Sequence, residues 1–295
     1  MSPRLRMFSS RSRVRGLVRR ARLAALCVLR GVIGKELKLT FRYIGSLVTI
    51  AAMPFMVSGL FIGIGYAVAG PAALENFEAN TGASSPLLYM TLGGVLMIAS
   101  MIVIENTSTI IREEQLMGTF ELHYLTPNST VVLWLLHALA YSILMILLFT
   151  LDIVVVIAWQ GGLLTPNEWG VAAAVILLAM LPLAGIGLVI AALTVRLKEV
   201  WAAANLVNSF IAALSGFYYP LEIFPRVVQL AAEVLPTTHA AAVLKSVVAR
   251  VPVELPLWQR VVIMSCLALA YLAAGKLFYS RWEDAARRRG ELSKY

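Results

Sequence analysis

The chain has 295 residues, of which 60% are hydrophobic and 14% charged, and it carries a formal net charge of +9. Soluble globular proteins average about 45–50% apolar and about 25% charged residues, so a water-soluble fold could not cover the apolar surface this composition implies. The basic residues crowd at the two chain ends beside apolar stretches. That pattern fits an anionic lipid surface and argues against nucleic acid as a partner.

Residues 1–42 hold twelve Lys and Arg, and within them Val14, Leu17, Val18, Ala21, Ala25, Val28 and Val32 recur at spacings of three or four. The spacing predicts a basic amphipathic helix over 14–42 at the cytosolic membrane surface, because its apolar core, 23–29, is too short to span. No short apolar core with a small-residue cleavage site follows the basic start, so no cleaved signal is expected.

A membrane helix needs about 20 largely apolar residues. Runs with few charges supply six candidates, at about 43–69, 88–111, 131–159, 169–195, 200–219 and 257–279. In the first, Gly59 and Gly63 form a G-x-x-x-G pair that allows close helix contact, within the subunit or at a dimer seam. Glu105 and Asn106 fall near the cytosolic end of the second, and Asp152 toward the outer end of the third. These carboxylates read as interfacial groups rather than as a proton relay. In the sixth, Arg260 and Lys276 stand near the ends, where long side chains snorkel to the interface.

Six spans put both termini on one side. The basic count identifies that side as cytosolic. Besides the twelve residues of 1–42 it holds Arg112, Arg196, Lys198, Arg281, Arg287, Arg288, Arg289 and Lys294, against Arg226, Lys245, Arg250 and the interfacial Arg260 opposite. The expected organisation is a cytosolic segment 1–42, a membrane domain 43–280 and a basic cytosolic tail 281–295. Cys27 and Cys266 fall in different compartments, so no disulfide is expected. His123, His137 and His239 have no ligand spacing, so no metal site is expected.

Two connections carry more information than the spans. Between spans two and three, Ile111–Asn128 is short and polar, with Glu113, Glu114 and Glu121 clustered on an otherwise basic side. Helix-forming residues flank Gly118, and a second short helix can begin at Thr119 and stop at Thr126-Pro127, because Pro disfavours helix in the residue before it. A solvated turn is the competing reading. Between spans five and six, Pro220, Pro225, Pro236, Pro252 and Pro256 divide 218–256 into apolar helices too short to span, about 227–235 and 240–249. Such helices either dip back into the outer leaflet under cover of protein or rest on the membrane surface.

Those two segments resemble one family. Glu113-Glu-Gln-Leu-Met-Gly118-Thr119-Phe-Glu121-Leu, followed by Leu-Thr126-Pro127, looks like the E-x-x-x-G-T-x-E-x-L…T-P signature of ABC type-2 permeases. Ser215-Gly216-Phe-Tyr-Tyr219-Pro220 through Pro225, then Leu-Pro236-Thr-Thr-His239, is similar to that family's S-G-x-x-Y-P…P…P-x-T-H segment. Two departures stand out. The acidic pair Glu113-Glu114 leaves the family's first acid ambiguous, and Lys245 occupies the region where the family often has Arg.

The resemblance implies an all-α polytopic membrane protein with six transmembrane helices, an N-terminal surface helix and short re-entrant external helices. It implies an export permease in the cytoplasmic membrane, paired with a second permease copy and two separate ABC ATPase subunits. The chain itself has no phosphate-binding loop, since Gly34-Lys35 and Gly275-Lys276 lack the upstream Gly and following Ser or Thr. ATP and Mg would therefore belong to the partner, and no cofactor or catalytic residue is expected here. By the same resemblance, Arg112, Glu113, Glu114, Gly118, Thr119, Glu121, Thr126 and Pro127 would form an ATPase-coupling helix. The external motif would comprise Ser215, Gly216, Tyr219, Pro220, Pro225, Pro236 and His239. The competing functions are an ion-gradient transporter, whose internal repeats are not evident, and a lipid-processing enzyme. The latter's one close pair, Glu121 and His123, faces different sides of a helix.

Overall fold

The computed structural model describes residues 27–35, 37–38, 41–125, 129–160, 163–194 and 199–289, and no strand occurs among them. Most of the expected surface helix, Thr126, Pro127, Arg196, Lys198 and the tail from 290 onward lie outside the described residues, as does the side chain of Glu121. Residues 27–35 are helical.

The helices that follow are α1 (Ile44–Ala69), α2 (Ala73–Thr81), α3 (Pro86–Leu116), α4 (Phe120–Tyr124), α5 (Thr130–Gln160), α6 (Pro166–Thr194), α7 (Val200–Leu214), α8 (Arg226–Ala232), α9 (Pro236–Val248) and α10 (Leu257–Arg289), with single 3-10 turns at Gly70–Ala72 and Leu221–Ile223. Helix α2 was not anticipated, although its signals are present. The turn before it opens on Pro71, and Gly82, at φ 69°, ends it in the left-handed conformation. Ser85 then caps α3, its hydroxyl accepting from the Leu88 amide at 3.2 Å, with Pro86 as first residue.

Among the described residues five helices, α1, α3, α5, α6 and α10, are long and apolar enough to cross a membrane, or six if the bent pair α8 and α9 counts as one span. The expected fifth span, 200–219, is helical only over the 15 residues of α7, roughly 22 Å at 1.5 Å per residue. Its early stop has a local cause. Gly216, at φ 65°, turns the chain directly after Ser215. At the other end of the chain α10 continues past Tyr279 to Arg289, so the expected start of the tail is helical. Arg287–Arg289 occupy its last turn, where cations suit the helix dipole.

Helix α6 is the hub, packing on α3, α5, α9 and α10. Backbones meet there directly. A methyl group placed on Gly275 of α10 would lie 2.6 Å from the Gly185 carbonyl oxygen, and one on Gly185 2.3 Å from that of Tyr271. Small residues permit such crossings in lipid, where hydrophobic burial between helices offers little drive. Helix α1 lies at the edge of the bundle, packing on α3 through Ile50, Phe55 and Val57 while burying fully only Pro54 and Ser58. A methyl group on Gly59 or Gly63 would meet no atom within 4 Å among the described residues, so these show no close packing of the G-x-x-x-G pair within the subunit. Asp152, toward the end of α5, is 2% exposed and covered by neighbouring helices. A small second core, built on Ile111, Phe120, Trp134 and Tyr279, closes the end of the bundle where α3, α5 and α10 meet.

Candidate functional site

The connection from α3 to α5 is anchored at Glu114. Although only two turns past the apolar part of α3, Glu114 is 6% exposed. Gly118, at φ 69°, reverses the chain after Leu116 and brings Thr119 back, so that the Thr119 amide donates to the Glu114 carbonyl at 3.0 Å. The Thr119 hydroxyl donates to the Glu114 carboxylate itself. His123, one turn into α4, places Nε2 3.1 Å from Oε2 of Glu114, and Lys35 from the N-terminal helix places Nζ 3.7 Å from Oε1. One carboxylate thus ties three segments, and Val28 packs against the same small core.

The network continues inward. The His123 ring stands edge-on to Trp134 at 4.8 Å, and Trp134 Nε1 donates to the Tyr279 hydroxyl at 2.8 Å. Thr130 donates to Glu283 at 3.0 Å, and Arg287 to the same carboxylate at 2.7 Å. The connection is therefore fastened to α5 and α10. Outward, the picture differs. Glu113 is exposed, accepting from Thr109 at 2.9 Å, and Arg112 is half-buried. Leu116, Met117, Leu122 and Leu125 are 72%, 61%, 56% and 81% exposed. The structure thus separates the acidic pair that sequence left ambiguous: Glu114 faces in and Glu113 faces out.

The second connection folds around the Ser215–Pro220 turn. Ser215 Oγ and Thr237 Oγ1 lie 2.5 Å apart, joining the end of α7 to the first turn of α9. Phe217 is fully buried, and a methyl group on Gly93 of α3 would fall 1.8 Å from its carbonyl oxygen. Tyr218 stacks on Phe61 of α1 at 4.7 Å. The Tyr219 hydroxyl donates to the Ala213 carbonyl. Pro220 leads the extended exit from the turn, and Pro225 and Pro236 start α8 and α9, which meet at a 92° bend. His239 closes the bend, with Nε2 2.9 Å from the Glu233 carbonyl oxygen.

Lys245, noted in the sequence as a departure from the family's pattern, is central to this turn. It is 5% exposed, donates to the Gly216 carbonyl at 2.7 Å and lies 3.6 Å above the Tyr89 ring centre. A lysine within an apolar helix was the available signal. The Ser215–Pro220 turn is tied to α9 through Ser215–Thr237 and Lys245–Gly216, whereas Thr119 and His123 gather about Glu114 at the other end of α3.

An all-helical bundle of long apolar rods, punctuated by two ordered polar connections, defines a multi-pass membrane protein. The ABC-2 type transporter family model matches residues 29–248, and the chain belongs to that family, as a membrane transporter permease. The family is a transport domain rather than a catalytic one, and its members typically work with an ABC ATPase. No curated protein matches the chain.

Proposed function

We propose that the chain is the permease of an ATP-driven exporter, carrying a hydrophobic or lipid-linked substrate out of the cytosol. Two ATPase subunits and a second permease copy complete the transporter, with both termini of this chain in the cytosol of a cell whose inner membrane it crosses. The observation that carries this reading is the two-sided connection around Gly118. Its inner side is fixed to α3, α5 and α10 through Glu114 and the small core. Its outer side presents Leu116, Met117, Leu122 and Leu125 beside the Glu113 carboxylate. Apolar groups exposed on a polar connection are a docking signature, and a rigid anchor lets a push on that surface move whole helices. Closure of the ATPase pair would thus reach the spans as a rigid-body motion, and substrate would leave past α8 and α9.

The combined substitution Glu113→Lys and Leu125→Asp tests the reading. Both side chains point away from the fold, so insertion and melting should be unchanged while co-purification of the ATPase drops. Full recovery of the ATPase on the substituted permease would refute docking through this connection. The buried Asp152 favours a second reading, transport driven by an ion gradient. Uptake into vesicles that contain this chain without any ATPase would establish that alternative.

A further inference from the structure

A cavity of about 390 Å³ lies behind the Ser215–Pro220 turn, enclosed by the end of α2, the first turns of α3, helix α9 and the start of α10. Small-molecule sites span about 300–1,000 Å³, so it is ligand-sized and larger than a lone phosphate requires. Its inner wall is built of donors. Lys245 is almost wholly buried, and an ammonium has three protons to donate. The Gly216 carbonyl takes one, and the Tyr89 ring attracts the charge without accepting as an oxygen does. Thr238 Oγ1 and Arg260 Nε are buried and have no hydrogen-bond partner. Orphaned buried polar atoms are rare in native folds, and here both belong to residues lining one cavity with Lys245. Neither Lys245 nor Arg260 forms an ion pair among the described residues.

The mouth has the opposite character. Glu222 and Glu254 also line the cavity and are exposed. The lining is therefore balanced in charge but polarised, with Lys245 at depth, the half-buried Arg260 beside it and the exposed carboxylates outermost. A simple anion gains little from a balanced site, whereas a ligand bearing both signs in the matching order gains at each end. Lys, Arg and a hydroxyl together suit the oxygens of a phosphoryl group better than the two of a carboxylate.

We propose that this cavity binds a zwitterionic phosphoryl headgroup, a phosphate joined to a short ammonium arm. The phosphate lies against Lys245, Arg260 and Thr238, and the ammonium against Glu222 and Glu254. A membrane phospholipid or a soluble phosphoamine can supply that group. The site lies within one chain and does not depend on how transport is powered.

Binding to the purified full-length chain in detergent tests the proposal, using dihexanoyl phosphatidylethanolamine, the phosphatidate of the same chain length, free phosphoethanolamine and 4-aminobutyrate. The expected order puts phosphatidylethanolamine at least about tenfold tighter than phosphatidate, the scale of one satisfied charge pair. Glu222→Gln should abolish that preference, and Arg260→Gln should weaken both lipids. These two variants remain informative if Lys245→Met, which also loses the tie to Gly216, fails to fold. Phosphoethanolamine binding as tightly as the lipid identifies a soluble source, and binding of the lipid alone a membrane one; either upholds the site. Absence of binding by every phosphoryl probe overturns the proposal, as does binding indifferent to Arg260→Gln. Displacement by 4-aminobutyrate as effective as by phosphoethanolamine would also overturn it, in favour of a carboxylate zwitterion.

Discussion

Lys35 Nζ lies 3.7 Å from Oε1 of Glu114, joining the N-terminal helix to the α3–α4 connection across an otherwise apolar contact. The two partners are unequal. Lys35 is half exposed while Glu114 is buried and also engaged by Thr119 and His123. Removing Glu114 takes away the buried carboxylate that both groups share, whereas removing Lys35 breaks a solvent-screened pair. Glu114→Ala is expected to lower stability by about 1–3 kcal/mol, and Lys35→Ala by no more than about 1 kcal/mol. Thermal unfolding in detergent checks the ranking; equal losses would mean that the carboxylate is not the centre of the network. Limited proteolysis should show the α3–α5 connection of Glu114→Ala cut faster than that of the native chain.

The Gly185–Gly275 crossing gives a second contrast. A methyl group at Gly275 would sit 2.6 Å from the Gly185 carbonyl oxygen, a backbone atom that cannot yield, while at Gly59 or Gly63 it would meet nothing within 4 Å. Overpacking of this kind costs typically about 1–3 kcal/mol, so Gly275→Ala should melt well below the native chain. Gly59→Leu and Gly63→Leu should leave the melting of the isolated chain unchanged. If they instead prevent two copies from associating in a cross-linking assay, the open face of α1 is the seam between permeases.

How far these relations could be read in advance follows from what lipid does to sequence patterns. Long apolar stretches with Pro and Gly at their ends foreshadow α1, α3, α5 and α6 to within about five residues, because a span must be apolar wherever it faces, while α10 runs on past its apolar stretch to Arg289. The same uniformity hides which side faces protein. Nothing in the composition of α6 and α10 brings Gly185 to Gly275, and Gly275 reads equally well as part of a failed phosphate-loop match. The same uniformity also hides the cover over charged groups. Asp152 reads as a group near the end of its span, and nothing in the sequence tells that neighbouring helices bury it to 2% exposure. Glu114 and Glu113 are neighbours with the same chemistry, and helical phase separates them: Glu114 continues the face of α3 that buries Thr107, Ile110 and Ile111, and Glu113 falls off it. Short motifs fared better. Ser215-Gly216 and Pro236 end one helix and begin another through backbone rules that hold in any solvent.

The Ser215–Thr237 contact extends that point to the external turn. The two hydroxyls are 2.5 Å apart and buried, so each serves the other as partner. Thr237→Val conserves volume but strands the Ser215 hydroxyl, with an expected loss of about 1–2 kcal/mol. Ser215→Ala combined with Thr237→Val removes both groups and should recover part of that loss. A double variant that is as unstable as the sum of the singles would show that the hydroxyls do not act as a pair.

Trp134 and Tyr279 form the matching buried pair at the opposite end, where both side chains are fully buried and Nε1 donates to the phenol oxygen at 2.8 Å. Tyr279→Phe keeps the ring and deletes the hydroxyl, leaving the buried indole N–H without that acceptor. The expected loss is about 1–3 kcal/mol, because an orphaned buried donor forfeits its water bond without replacement. Trp134→Phe removes the donor and also shrinks a core side chain, so it should lose more, as packing defects add to the lost bond. The informative quantity is the double variant. If the hydrogen bond is what links α5 to α10, the two losses are less than additive by about 1 kcal/mol or more, since the second deletion finds no bond left to break. Simple additivity would assign the stability of this end to the aromatic packing of the small core alone. The anchoring of the α3–α5 connection would then rest on shape rather than on the polar chain that runs from Glu114 through His123 to Tyr279.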